Sequence, residues 1–348
     1  MSRRSKNIRK INYLLHISIA VIPAATLLPG CKNTQPPPAQ TVSVNQPVTQ
    51  AVPALTAFNA SQTYQYIKRQ VAFGPRVPGT KAHDSCLRFI VNTLKGDSLK
   101  VTVEKSTAKT YDGKKFEFEN VIASTEPDNP ARILICGHWD SRPFADQDTI
   151  DPDKPFDAAD DGGSSAAVMM ELAPILKKYP AAVGVDLVFF DLEDYGQQTD
   201  DNYPHMEDSW CLGSQYWAKN LPQGYNPRFG ILLDMVGGKD AAFPMEGTSL
   251  YYAPDIVKKV WDIAADLGYG AYFTHDKTGE TIDDHLYINK IANIPTIDIV
   301  DYHVETGDYP YWHHKHSDNM SIIDSNTLRM VGRVLVKTIY SEKTDKAL

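Results

Sequence analysis

The sequence predicts an α/β fold, a single domain with a mixed, mostly parallel central sheet and helices on both faces. Three observations point there. Apolar and β-branched runs recur at 131–137, 185–190, 229–233 and 294–300, each with the length and continuity of a strand buried on both faces. Segments of helical periodicity at 166–178 and 255–267 fall between them, the alternation that builds parallel sheets. Finally, the runs break abruptly into ionisable residues: His138 and Asp140 after the first, Asp191, Glu193 and Asp194 after the second, Asp234 after the third. The carboxyl ends of strands in open α/β sheets are where ligands bind.

Composition agrees with one large core, since 42% of the 348 residues are hydrophobic and 10% aromatic. The net charge of −8, with no long basic run beyond the N-terminus, excludes nucleic acid as the main partner. Arg3, Arg4, Lys6, Arg9 and Lys10 precede an apolar stretch at 17–28, the pattern of an export signal. It ends in Leu28-Pro29-Gly30-Cys31, which resembles a bacterial lipobox. Residues 1–30 are therefore read as a lipoprotein signal peptide. Residues 31–55 are read as lipidated Cys31 with a disordered Pro/Gln/Thr/Val tether, and 56–348 as the catalytic domain. An uncleaved anchor is the alternative, although the apolar stretch is short for a bilayer span. The expectation is an exported lipoprotein, periplasmic or on the cell surface, monomeric and touching the membrane only through Cys31. Cys86, Cys136 and Cys211 have no metal-ligand spacing and read as small buried hydrophobes.

Taken in order, 61–72 has helical spacing with Ser61 as N-cap. A Gly/Pro-dense loop follows at 73–80, then a second amphipathic helix at 83–94. Residues 99–106 and 116–124 read as neighbouring strands, and 131–137 as a central one. A polar loop at 143–156 leads to the doublet Asp160-Asp161, hemmed by Ala and Gly before the helix at 166–178. Acids there suit the helix dipole, and small neighbours also let backbone pass close to a bound ion. The polar stretch 196–209 is a candidate pocket rim. Ile323 onward reads as the closing helix, begun by Asp324 or Ser325.

Strand ends and their loops thus supply His138, Asp140, Asp161, Glu193, Asp194, Asp234, Asp284 and His314. Acids and histidines without cysteine suit zinc or a similar divalent ion in a site open to substrate. Such a density of negative charge also needs a cation.

In motif order, GPRVPG at 74–79, HWDSR at 138–142, ADDGGSSAAVMMELA at 159–173, FFDLED at 189–194, LLDMVG at 232–237, DDH at 283–285 and WHHKHSDN at 312–319 resemble the M28 family. That family comprises zinc aminopeptidases and the related glutaminyl cyclases, on a zinc exopeptidase-like (phosphorylase/hydrolase-like) fold. The resemblance covers about residues 60–340, and the chain looks more like a glutaminyl cyclase of the Bacteroidetes type. By motif it implies one zinc on Asp161, Asp194 and His314, Glu193 as general acid/base, and Asp234 and Asp284 as acids near the substrate amine. The Asp-Asp-His element at 283–285 most favours a cyclase. Departures from the pattern leave Asp160 as an alternative to Asp161 and His313 to His314, with His316 a rim residue. The ligand after Glu193 is Asp194, a shorter arm than the Glu of animal cyclases. Trp312 is the best candidate for a substrate-side aromatic.

The implied reaction converts N-terminal glutamine of peptides and proteins to pyroglutamate with release of ammonia. The alternative is a two-zinc aminopeptidase, in which His138 and Asp234 hold a second ion bridged by Asp160 or Asp161, and Glu193 activates water. A third reading is a surface lipoprotein that binds peptides on a dead exopeptidase scaffold. The Glu193 and Asp/Asp/His set argues against it.

Overall fold

The computed structural model describes residues 51–97, 99–198 and 201–344. The expected signal peptide, Cys31 and most of the expected tether lie outside the described residues. The described elements run α1 (Ala51–Ala57), α2 (Ala60–Val71), α3 (Lys81–Gly96), β1 (Lys100–Lys109), β2 (Lys115–Thr125), β3 (Arg132–His138), α4 (Gly163–Lys178) and β4 (Gly184–Phe190). They continue with α5 (Leu212–Lys219), β5 (Gly230–Asp234), β6 (Phe243–Met245), α6 (Gly247–Tyr252), α7 (Pro254–Asp266), β7 (Phe273–Lys277), α8 (Asp284–Tyr287), a π turn (Ile288–Ala292), β8 (Thr296–Val300) and α9 (Ser325–Ser341).

Six strands form the main sheet in the order β1-β2-β4-β3-β5-β8. β4, β3, β5 and β8 are parallel, whereas β1 and β2 add an antiparallel edge. Every residue of β3 and β4 is buried, as their unbroken apolar runs require. Successive side chains still alternate between two cores. Ile133, Ile135, Leu187 and Phe189 pack with α2, α4 and α9 on one face. Leu134, Cys136, Val188 and Phe190 meet Trp217 of α5 and Ile288 on the other. Helices therefore cover both faces, as the sequence predicts.

Local capping explains the small differences in boundaries. α2 begins one residue before Ser61 because Asn59 is its N-cap, accepting from Gln62 N–H at 3.1 Å. Thr80 caps α3 and Asp324 caps α9. The tether, expected to reach residue 55, gives way to helix α1 at Ala51. Ala54 and Phe58 are buried, and the Phe58 ring lies against Gly332 of α9, where a Cβ would fall 2.2 Å from it. These few apolar residues follow a tether of similar composition, so the boundary is not visible as a change in residue type. The two-stranded sheet β6-β7 and the short α6 and α8 also went unpredicted, being too short for periodicity to show.

One buried acid lies far from the strand ends. Glu171 on α4 is 5% exposed and accepts from Asn59 N–H at 3.3 Å. Burial, helped by the charge of Asp97, pushes it up to about 7 against the lowering effect of that hydrogen bond. The folded protein therefore holds a proton that the unfolded chain releases, so stability falls as pH rises from the ordinary glutamate range through about 7. Glu171→Gln removes this cost. It should raise stability by roughly 1–3 kcal/mol at about pH 8 and change little at about pH 4, as read from denaturant unfolding at both.

Candidate active site

β3 is flanked by β4 on one side and β5 on the other, so chain connections diverge from it and open a crevice at the carboxyl ends of these strands. A cavity of about 460 Å³ occupies that crevice, lined by Asp146, Asp161, Glu193, Asp194, Trp210, Asp234, Asp283, Tyr309, His313 and His314, among others.

Two further buried carboxylates hold the acids in place. Asp140 accepts from the backbone N–H of Glu193 (3.2 Å) through one oxygen and of Asp194 (3.3 Å) through the other. Asp318 does the same for Asp160 (2.8 Å) and Asp161 (3.1 Å). The peptide between these doublets and their helix or strand comes close to His138. Gly162 sits at φ +71°, and a Cβ there would lie 2.7 Å from Asp140 O and 2.9 Å from the His138 ring. That is why glycine follows the doublet. Arg76 of the 73–80 loop is buried and donates to the carbonyls of Trp139 (3.0 Å), Asp157 (2.8 Å), Ala158 (2.6 Å) and Asp161 (3.2 Å).

The structure separates the two members of the Asp160-Asp161 doublet. Asp160 is fully buried, with one oxygen accepting from Gly237 N–H (2.7 Å) and the other from the Trp312 indole (3.1 Å). Asp161 instead faces the cavity. His314 Nε2 lies 3.6 Å from Asp161 Oδ2 and 3.3 Å from Asp194 Oδ1, so these three side chains converge. Both Asp194 oxygens are buried, with only the His314 ring and, at 3.8 Å, Arg142 near enough to offset their charge. Leaving a buried carboxylate in that state costs several kcal/mol unless a cation meets it, so the donor set fits a divalent ion. His314 is raised to about 9: burial lowers it, but the Asp194 charge and Asp146 outweigh that. His313, stacked 3.8 Å from His314, is driven well below the ordinary histidine range by burial and by its charged neighbour. The His316 side chain is 37% exposed and paired with Asp148 at 3.1 Å.

Glu193 is 8% exposed and lines the cavity beside these donors. Burial raises it well above the ordinary glutamate range despite His138, with the charges of Asp194, Asp283 and Asp284 adding to the rise. Asp234 at the end of β5 also lines the cavity and is raised to about 6, chiefly by burial. His138 Nε2 lies 3.0 Å from Asp161 Oδ1 and 3.3 Å from Asp234 Oδ1.

Two expected residues sit elsewhere than predicted. Trp312 is buried with its indole committed to Asp160; the tryptophan in the cavity wall is Trp210. Asp284 is fully buried at the start of α8, and the carboxylate in the wall is that of its neighbour Asp283, the helix N-cap, raised to about 7 mainly by burial. Adjacent residues at a helix start point in different directions, which spacing alone does not resolve.

Asp146 and Arg142 were missed. The buried Arg142 grips both oxygens of Asp146 (2.7 and 2.9 Å) and donates to the carbonyls of Asp194 (2.9 Å) and Gly196 (3.3 Å). Its guanidinium lies 4.6 Å from the Trp210 ring centre. Asp146 lies 3.2 Å from His314 Nδ1 and so orients that ring. Their only sequence signal was an arginine in HWDSR followed, four residues on, by an acid. Removing such a partner typically weakens metal binding about 10–100-fold. Asp146→Ala should therefore lose zinc to a chelator at correspondingly lower concentration, measured by competition with a zinc-binding dye. Unchanged zinc affinity would remove Asp146 from this role.

The profile of peptidase family M28 matches residues 120–339. A Bacteroides thetaiotaomicron glutaminyl cyclase, solved bound to N-acetylhistamine, is 44% identical, covering 82% of this chain and 99% of its own, with a TM-score of 0.80. A Zn-dependent exopeptidase from Parabacteroides distasonis is also 44% identical, covering 82% and 99%, with a TM-score of 0.79. The aminopeptidase YwaD of Bacillus subtilis is 23% identical over 64% of this chain and 44% of its own length. The chain spans about half the length of the curated relatives it first matches. With the profile matched from the second strand into the last helix, and with relatives alike in fold over four-fifths of the chain, the protein belongs to peptidase family M28 and resembles the bacterial glutaminyl cyclases.

Proposed function

We propose that the protein is a zinc-dependent glutaminyl-peptide cyclotransferase, closing the N-terminal glutamine of peptides and proteins to pyroglutamate with release of ammonia. The observation that carries this is the placement of Glu193 and Asp283 in one cavity wall beside the converging Asp161, Asp194 and His314. The 44% identity to a cyclase over 82% of the chain supports it. One zinc on Asp161, Asp194 and His314 would act as a Lewis acid on the side-chain amide carbonyl.

Asp283 and Asp234 stand in the wall to hold the substrate amine, with Asp284 backing Asp283. Glu193 takes a proton from the attacking amine and returns one to the departing nitrogen as the C–N bond of the side-chain amide breaks. A carboxylate raised by burial is suited to carrying that proton near neutrality. The two reacting groups belong to one residue, so confinement in the cavity supplies the attack geometry.

The His138–Asp161–Asp234 group favours the second reading, a two-zinc aminopeptidase with Asp161 bridging the ions and Glu193 activating water. Zinc content per chain, with product analysis on a Gln-initiated dipeptide amide, separates them. One zinc with ammonia and no free amino acid means the cyclase; two zincs with free N-terminal residue means the peptidase.

Glu193→Gln should keep its zinc and lose about 10²–10⁴-fold in turnover, the usual worth of general acid–base catalysis. Turnover retained in that variant would remove Glu193 from the proton path. No helix of the described residues is long and apolar enough to cross a membrane. The lipobox-like Leu28-Pro29-Gly30-Cys31 supports tethering of the enzyme through lipid on Cys31, in the periplasm or at the cell surface. Cys31→Ala should move the enzyme from the membrane fraction to the soluble fraction, and a variant still sedimenting with membranes would refute the anchor.

A further inference from the structure

A thiol lies directly behind the cavity, unused by the reaction above. Cys211 precedes α5 in the left-handed conformation, at φ 58° and ψ 37°. Its N–H donates to Glu193 O at 3.0 Å, and Leu212 N–H donates to Leu192 O at 3.0 Å. This backbone pairing holds the side chain against Glu193, with Sγ 3.1 Å from Oε1. The thiol is free and fully buried. Asp283 completes a group, since one ligand atom each from Glu193, Cys211 and Asp283 lie within 4.8 Å of one another. Beside the thiol, Asp284 is fully buried, and the Ser214 hydroxyl near it is committed to Cys211 O at 3.1 Å. A cation at this spot would offset the cost of that burial.

Ligand atoms gathered within 4.8 Å of one another can close on a small tetrahedral ion, for which sulfur at about 2.3 Å and oxygen at about 2.0–2.2 Å put ligand atoms roughly 3.3–3.7 Å apart. A sulfur with two carboxylates selects a thiophilic divalent ion such as zinc in excess or cadmium. Magnesium and calcium take oxygen ligands. Glu193 and Asp283 line the cavity, so an ion reaches the thiol through the substrate's own entrance.

We propose that Glu193, Cys211 and Asp283 form a second, inhibitory site for a thiophilic divalent ion, apart from the Asp161, Asp194 and His314 set. On binding, the thiol proton leaves to solvent, Sγ and the two carboxylates ligate the ion, and Glu193 is withdrawn from proton transfer. The inhibition rests on the role given to Glu193 above; the ion site itself does not.

The probe is cadmium chloride titrated into the zinc-loaded full chain, followed by the ultraviolet thiolate-to-cadmium charge-transfer band, by zinc retained on the protein and by ammonia release. The expected result is one saturating band per chain with zinc retained and ammonia release lost in step. Magnesium should produce neither effect. Cys211→Ser and Cys211→Ala should lose the band. Each should need at least about tenfold more cadmium for the same fractional loss of its own activity, as removal of a soft ligand predicts. No band, a band unchanged in both variants, or inhibition that tracks zinc release overturns the site. A saturating, Cys211-dependent band with ammonia release intact upholds the site and overturns the role of Glu193.

Discussion

Paired backbone capture by buried carboxylates is the interaction on which the rest of this site depends. Asp140 holds the amides of Glu193 and Asp194, and Asp318 those of Asp160 and Asp161. Each doublet leaves its strand or enters its helix in an irregular turn whose N–H groups would otherwise be buried without partners, at about 1–3 kcal/mol apiece. One carboxylate with two oxygens satisfies both and sets the direction of both side chains. The consequence is electrostatic as well as geometric. The device adds two more acids to a region already crowded with them, so that the whole cluster makes physical sense around a divalent cation and a cationic substrate amine.

Arg142 ties that cluster to the pocket wall. It joins Asp146, and through it His314, to the carbonyls of Asp194 and Gly196, while its flat face lies over Trp210. Its fixed planar fork lets one buried residue meet a carboxylate bidentately, two carbonyls and an aromatic ring at once, which a lysine cannot do. Two donors of the candidate metal set and the aromatic wall are therefore coupled mechanically, although they come from loops distant in sequence. Arg76 plays a parallel part on the other side, binding the carbonyls that surround Asp161.

Much of the architecture was legible beforehand because strands buried on both faces must be written as continuous apolar runs. β3, β4, β5 and β8 all appear that way, and the abrupt change to acids at their ends marked the site. Elements whose stability comes from packing rather than pattern were not legible. α1 is recognisable by the burial of Ala54 in the core and by the contact of Phe58, just after it, with Gly332, and β6-β7 by pairing between segments far apart in the chain. Composition could not separate the end of the tether from the start of the domain, since both are rich in Ala, Val, Thr and Pro.

By itself the sequence determined the fold class, the family and the set of residue types that meet at the strand ends, because buried strands are written as hydrophobic runs and parallel strands bring their carboxyl ends to one edge. Tertiary structure decided which member of the Asp160-Asp161 and Asp283-Asp284 pairs faces the cavity. Asp161 faces the cavity because Asp160 is claimed by Gly237 and Trp312. Asp283 rather than Asp284 forms the wall, and Trp210 rather than Trp312 lines it. Neighbouring side chains diverge by the turn their backbone makes, and that turn is set by partners such as Asp140 and Asp318, which lie far along the chain from the residues they aim. The thiol of Cys211 shows the same limit: its burial was readable from residue type, but its place against Glu193 came only from the returning loop.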